Sequence, residues 1–369
     1  MKSPYKELVI IIAAVTILLT LYYYVTTTRE QVIKVGAVLP LTGEGTPDQG
    51  QASQKGILLA AEKINSQGGI NGKKVKIIVE DSQCKPEKAV TAMQKLVQVD
   101  GVVAVIGDTC DSVTAAIIPI AQDNKVVLIT PGSTSPKISE AGDYIFRFWF
   151  SENDLGGLTA SKAYELGYRK IGIFYINNEW GYAQRDAVTS KFESLGGQVV
   201  AKNAVNPGET DFRTILLKTE ESKPDAYYIG VFPDSLVLII KQMRELGINK
   251  QIFSHGGLVG SAQVLGLGGK LLEGVIAPFV GEPSAEFQKE FMSKYNEKPG
   301  ITADSAFDAM MVLGTVMQKF GTTPNEIKDG LHTIQNYTGV SGIISVDSNG
   351  DTHRPLTVMQ VKNGEFVPY

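Results

Sequence analysis

The chain contains only three histidines and two cysteines, and it has no excess of basic residues. His255, His332 and His353 lie far apart in sequence, so no His-rich metal set forms and histidine-based catalysis is disfavoured. Two cysteines cannot build a four-thiolate zinc site. Lys and Arg number 35 against 39 Asp and Glu, for a formal net charge of −4, which argues against a protein that tracks nucleic-acid phosphates. Enzyme motifs are lacking as well. Gly43-Glu44-Gly45 follows the first apolar run, but Asp48 stands where a dinucleotide fingerprint needs its third glycine, and the connection is too long for a tight pyrophosphate turn. Gly68–Lys74 (GGINGKK) lacks the spacing and hydroxyl of a phosphate loop and reads as a turn. No G-x-S-x-G elbow occurs. No cofactor and no metal is therefore expected.

What is present is a chain of 369 residues, 43% hydrophobic and 20% charged, which excludes wholesale disorder and suits two globular domains. Leu8–Val25 is an uncharged apolar run. As a helix it reaches about 27 Å, close to the hydrocarbon thickness of a bilayer. Lys2 and Lys6 precede it, and Tyr22–Tyr24 suit the outer interface. An uncleaved anchor over this run is the first expectation, and a cleaved signal peptide is the second. Either one exports the remaining chain. In that compartment Cys84 and Cys110 either pair or stay as thiols. Each is expected just past the carboxyl end of a strand, Val75–Val79 and Val102–Ile106, on one rim.

Strand-like and helical runs alternate through most of the exported part. Val32–Leu39 is apolar and β-branched, and Gly50–Ser66 follows with Ile57, Ala61 and Ile64 at helical spacing. The same alternation continues through Pro86–Val99, Ser112–Asp123 and Val126–Thr130, and it restarts at Asn153–Leu166. Later elements include Lys170–Tyr175, Ala226–Val231, Gln251–Ser254, Ala303–Phe320, Ile343–Val346 and Thr357–Val361. This order predicts an α/β protein with parallel sheets covered by helices on both faces. The strands are too many for one sheet, so two doubly wound lobes are predicted. Ligands of such sheets bind beyond the strand carboxyl ends.

Several segments, taken in order, carry a resemblance. They are Ile33–Gly45 (IKVGAVLPLTGEG), Ala60–Val90, Val105–Thr114 (VIGDTCDSVT), Ile129–Pro136 (ITPGSTSP) and Asn177–Tyr182 (NNEWGY). From Val32 onward the chain resembles the substrate-binding proteins of branched-chain amino acid ABC transporters, the leucine/isoleucine/valine-binding type of the type I periplasmic binding fold. The resemblance implies two lobes joined by three crossovers near Phe150, Ala277 and Asp347, with a solute clamped between them. With residues 1–30 taken as the anchor and linker from their apolar run, the resemblance assigns 31–150 with 279–346 to the first lobe and 151–278 with 347–369 to the second. It implies that Cys84 and Cys110 are bridged. It also implies a permease partner and an amino acid as the favoured solute, with amides or amines as alternatives and a sensor ectodomain as the rival role.

Site residues follow from the same resemblance. Thr134 matches a threonine that holds the ligand α-carboxylate, with Gly132 and Ser133 supplying backbone groups. The residue after the second cysteine, ordinarily a hydroxyl, is Asp111 here. Asp111 suits the N-cap of the following helix, and Ser112 is the substitute hydroxyl. The acid that would hold the α-ammonium falls on Gly256, with Asp234 as a neighbouring substitute and His255 as a possible donor. Trp180 and Phe232 match two aromatic positions and suit an apolar or planar ligand body.

Overall fold

The computed structural model describes residues 14–17, 32–43, 45–258 and 262–369. The anchor expected over Leu8–Val25 lies outside the described residues, apart from the helical residues 14–17. Among the described residues no helix is long and apolar enough to cross a membrane.

The first sheet comprises β1 (Val32–Leu39), β2 (Lys74–Asp81), β3 (Ala104–Gly107), β4 (Val127–Thr130) and β5 (Ile145–Arg147), in the order β2-β1-β3-β4-β5. All its pairings are parallel. Every residue of β3 and β4 is buried, as expected for strands covered on both faces. On one face, α1 (Pro47–Ser66) packs with α9 (Ala285–Tyr295), α10 (Ala303–Phe320) and α11 (Pro324–Leu331). On the other face are α2 (Pro86–Gln94), which continues into a π-helical turn over Lys95–Asp100, and α3 (Asp111–Asp123).

The second sheet comprises β6 (Lys170–Ile176), β7 (Gln198–Val205), β8 (Ala226–Gly230), β9 (Gln251–Ser254), β10 (Ile276–Phe279), β13 (Thr357–Lys362) and β14 (Glu365–Pro368). Their order is β14-β13-β10-β9-β8-β6-β7. Strands β6 to β10 pair in parallel, and β13 and β14 add an antiparallel edge. One face is covered by α4 (Glu152–Glu165) and α5 (Glu179–Ser194). The other carries α6 (Arg213–Glu221), α7 (Pro233–Glu245) and α8 (Ala262–Gly268). A small hairpin, β11 (Tyr337–Gly339) and β12 (Gly342–Ile344), closes beside the first core.

The chain passes between the sheets three times. It crosses from β5 into α4, and from β10 into α9, whose Phe287 and Phe291 join the first core. The third passage comes later than Asp347. Asp351 bridges to Arg147 and Thr352 to Val346, so the chain stays with the first sheet through Thr352 and enters the second at Thr357. The fixing contact is a buried ion pair. Arg147 is fully buried, and its guanidinium lies 2.6 Å from Asp351 Oδ2 and donates to the Ser135 carbonyl at 2.9 Å.

Candidate functional site

In an open parallel sheet the loops that leave the strands on either side of a reversal in strand order diverge and leave a crevice. In the first sheet the reversal lies between β1 and β3, and in the second between β6 and β8. The loops after all four strands meet in one cleft, with about 270 Å³ of free volume. Thr46, Cys110, Asp111 and Thr134 line it from the first sheet. Trp180, Phe232, His255 and Gly256 line it from the second, and Trp149 and Glu152 line it from the first crossover.

Local sequence explains how these groups are placed. Gly181 lies in the first turn of α5, where a Cβ would stand 1.9 Å from the Ile176 carbonyl oxygen, so only glycine lets the helix start this close to β6. The Asn178 side chain caps the helix by accepting the Gly181 N–H at 2.9 Å. Trp180 is thereby held against Phe232, ring centroids 5.6 Å apart and nearly parallel. The His255 ring meets Trp180 edge-on at 4.9 Å. On the opposite wall the Cys84–Cys110 disulfide joins the loops after β2 and β3, with a Cα separation of 5.8 Å.

Asp111 does not cap α3. The cap position is Cys110, and Asp111 is the first helical residue. Its carboxylate turns toward the loop after β4. Oδ1 accepts the Thr134 N–H at 2.7 Å and the Ser135 N–H at 3.0 Å, and Oδ2 accepts the Thr134 hydroxyl at 3.2 Å. These buried loop donors need an acceptor, and that requirement outweighs the capping preference. The donors expected to receive a ligand carboxylate are thus held by a carboxylate of the protein.

Other assignments also shift. Ser133 is fully buried and absent from the cleft wall. Its N–H goes to Thr130 Oγ1 at 3.0 Å and its hydroxyl lies 2.6 Å from Thr114 Oγ1, so its polar groups are engaged inside the lobe. Asp234 is exposed in the first turn of α7, where a negative charge suits the helix dipole, and does not line the cleft. Ser112 and Gly132 do line it. His255 is buried rather than on the surface. Its Nε2 lies 3.0 Å from the Val231 carbonyl, which can only accept, so Nε2 carries the proton. Burial lowers its pKa to about 4, which keeps the ring neutral and leaves Nδ1 as an acceptor.

Glu152 was not anticipated from the sequence. It is the first residue of α4, following the Ser151 cap, and its backbone N–H donates to the Thr134 carbonyl at 2.8 Å. Its side chain is buried beside the Thr134 hydroxyl and near the Asp111 carboxylate. Desolvation, then the neighbouring Asp111 charge, raises its pKa to about 8. Burial also raises that of Asp111, against the loop hydrogen bonds. At the mouth, Lys137 of the first lobe pairs with Glu179 of the second at 2.5 Å. Exposed pairs of this kind are worth about 0–1 kcal/mol, so this one can open and reclose.

Two open parallel sheets that share one cleft at their switch points define a two-lobed solute-binding protein. The chain belongs to the periplasmic binding protein family, whose profile matches residues 32–365. It is 26% identical over 345 residues to a leucine-, isoleucine-, valine-, threonine- and alanine-binding protein of Pseudomonas aeruginosa, covering 91% of this chain and 89% of that one. It is 28% identical over 335 residues to a Leu/Ile/Val-binding protein homolog of Brucella suis, covering 89% of each. Among solved structures, a leucine binding protein LivK from Thermotoga maritima superposes with a TM-score of 0.82 at 28% identity, covering 91% of this chain and 97% of that one. The isoleucine complex of LivJ from Streptococcus pneumoniae superposes with a TM-score of 0.79 at 25% identity, covering 92% and 100%.

Proposed function

We propose that this protein is the extracytoplasmic solute-binding component of an ABC importer. It captures one small molecule of roughly amino-acid size between its lobes and presents the closed form to membrane permease subunits. The observation that carries this reading is the shared cleft, lined from both sheets and from the first crossover. Its relatives bind branched-chain amino acids, and amino acids or related amides and amines are the solutes to test.

The two moving bodies are residues 31–150 with 279–352, and 151–278 with 357–369. Closure is a hinge motion at the three passages. A transport receptor must also release its load, so micromolar affinity, about −8 kcal/mol, is expected. Leu8–Val25 tethers the protein to the membrane, or serves as an export signal that is removed. A sensor ectodomain is the rival role, and co-purification with permease subunits discriminates against it.

The test uses thermal unfolding of the chain from Thr26 onward with a panel of amino acids, amides, amines and carboxylates. A solute at one hundred times its Kd adds about 2.7 kcal/mol of stability. Trp149 and Trp180 are the two tryptophans of the chain, and both line the cleft, so fluorescence reports on this site directly. No stabilisation by any member of the panel, with the protein folded, would count against the reading.

A further inference from the structure

The donors and acceptors of the cleft are unevenly supplied. Asp48 and Glu179 stand at its mouth, and Asp111 and Glu152 lie buried in its wall. No Lys or Arg is among the described lining residues. Two buried guanidinium groups close to it already have partners. Arg147 is paired with Asp351, and Arg354 lies 4.8 Å over the Phe150 ring and 3.6 Å from Asp304. The loop donors facing this region, the Thr134 and Ser135 N–H groups and the Thr134 hydroxyl, are taken by Asp111.

Two further polar atoms on the cleft wall are buried and have no hydrogen-bond partner within the protein. They are His255 Nδ1 and Thr109 Oγ1, on residues 6% and 7% exposed. With the proton on Nε2, His255 Nδ1 can only accept. The side chains of the wall that can donate, among them Thr46, Gln49, Thr109, Ser112 and Asn178, are all neutral, so among the described lining residues no positive group balances the four carboxylates. The wall is completed by the aromatic rings of Trp180 and Phe232, stacked on each other, and of Trp149, over which the Arg354 guanidinium already lies at 5.6 Å.

We propose that the captured solute is an organic cation with an apolar or planar body, a primary amine or amidinium compound, rather than an amino-acid zwitterion. The proposal rests on the solute-binding reading above and specifies its ligand class. The cationic head donates to Glu152 and Asp111, and the body lies between Trp180, Phe232 and Trp149. A zwitterion would bring another carboxylate toward Asp111 and find the Thr134 and Ser135 donors already occupied. Asp111 thus does the work that a ligand carboxylate does when it enters with the solute, and the ammonium is read by Glu152 instead of an acid at Gly256.

The experiment is isothermal titration calorimetry of the chain from Thr26 onward at pH 7.5 with two matched sets. The first is leucine, 3-methylbutylamine (leucine without its carboxylate), 4-methylpentanoate (without its ammonium) and the neutral 4-methylpentanamide. The second is phenylalanine, 2-phenylethylamine, 3-phenylpropanoate and 3-phenylpropanamide. The expected result is that in at least one set the amine binds tenfold or more tighter than its three companions. Glu152→Gln should weaken it tenfold or more while unfolding as wild type does at pH 5, and Asp111→Asn, which keeps one oxygen for the Thr134 and Ser135 N–H groups, should weaken it tenfold or more as well. Tighter binding of leucine, phenylalanine, a carboxylate or an amide overturns the cation assignment and leaves the solute-binding reading standing. No binding from either set also overturns it, and the wider stabilisation panel then decides whether the solute-binding reading falls too. An amine that binds wild type and Glu152→Gln equally removes Glu152 from the site.

Discussion

Glu152 is expected to reduce stability in exchange for binding, and Glu152→Gln exposes that cost. Burial and Asp111 raise its pKa from an ordinary 4.5 to about 8. A carboxyl with a raised folded pKa contributes full stability below its unfolded value, and the contribution is lost as pH rises through the folded value. The stability of the wild type minus that of Glu152→Gln should be constant below about pH 4.5, fall between there and about pH 8, and stay at the lower value above it. At about 1.4 kcal/mol per unit the full shift corresponds to about 5 kcal/mol. Because Asp111 shares the titration, a loss of about 2 kcal/mol or more is expected between pH 5 and pH 9. Other shifted groups, including Asp108 near 7, Asp308 near 6 and His255 near 4, are common to both proteins and cancel in the difference. The assay is urea unfolding of both proteins across that range, without solute. Parallel stability curves, differing by under about 0.5 kcal/mol in their pH dependence, would refute the claim that Glu152 is a desolvated, charge-coupled acid.

Three other outcomes follow from the packing. Removing the Cys84–Cys110 bridge, which spans 26 residues, should cost about 3–4 kcal/mol in urea unfolding, and a loss below about 1 kcal/mol would contradict the loop-entropy argument. Asp351→Ala leaves the fully buried Arg147 without its carboxylate and should cost about 3–5 kcal/mol, whereas Arg147→Met with Asp351→Leu should recover most of it. Trp180→Ala breaks the stack on Phe232 and should weaken solute binding tenfold or more, with little change in the unfolding midpoint because Trp180 is only half-buried.

Much of the fold is legible in the sequence because buried parallel strands are short apolar runs bounded by turns. Val32–Leu39, Gln251–Ser254 and Ala303–Phe320 occupy the spans their patterns predict. Other elements carried signals that were not read. The helix Pro324–Leu331 opens with a capping box between Thr323 and Glu326, a spacing visible in the sequence. The closing hairpin turns at Asn363-Gly364, both with positive φ, the pair that a two-residue hairpin favours.

The cleft was legible as a set of loops and less so as chemistry. Resemblance placed Trp180, Phe232, Thr134 and Gly256 at strand ends, where the cleft forms. It could not show that Asp111 turns to the Thr134 amide instead of capping its helix. That depends on which buried donors lie within reach, and the partners are 23 residues apart in sequence. Glu152 reads in sequence as an ordinary acid in a first helical turn. Only the crossover geometry, which brings it against Thr134 and Asp111, makes it a buried acid on the cleft wall.

The most direct test of the account is the proton balance of binding. 3-Methylbutylamine, or 2-phenylethylamine if that is the tighter ligand, is titrated calorimetrically at pH 7 in two buffers of different ionisation enthalpy. With its pKa raised to about 8, Glu152 is mostly protonated in the free protein at that pH. An ammonium group docking beside it favours the ionised form. The account predicts release of close to one proton per amine bound in the wild type and almost none in Glu152→Gln. Binding with no proton released, or with the same release from both proteins, would contradict it.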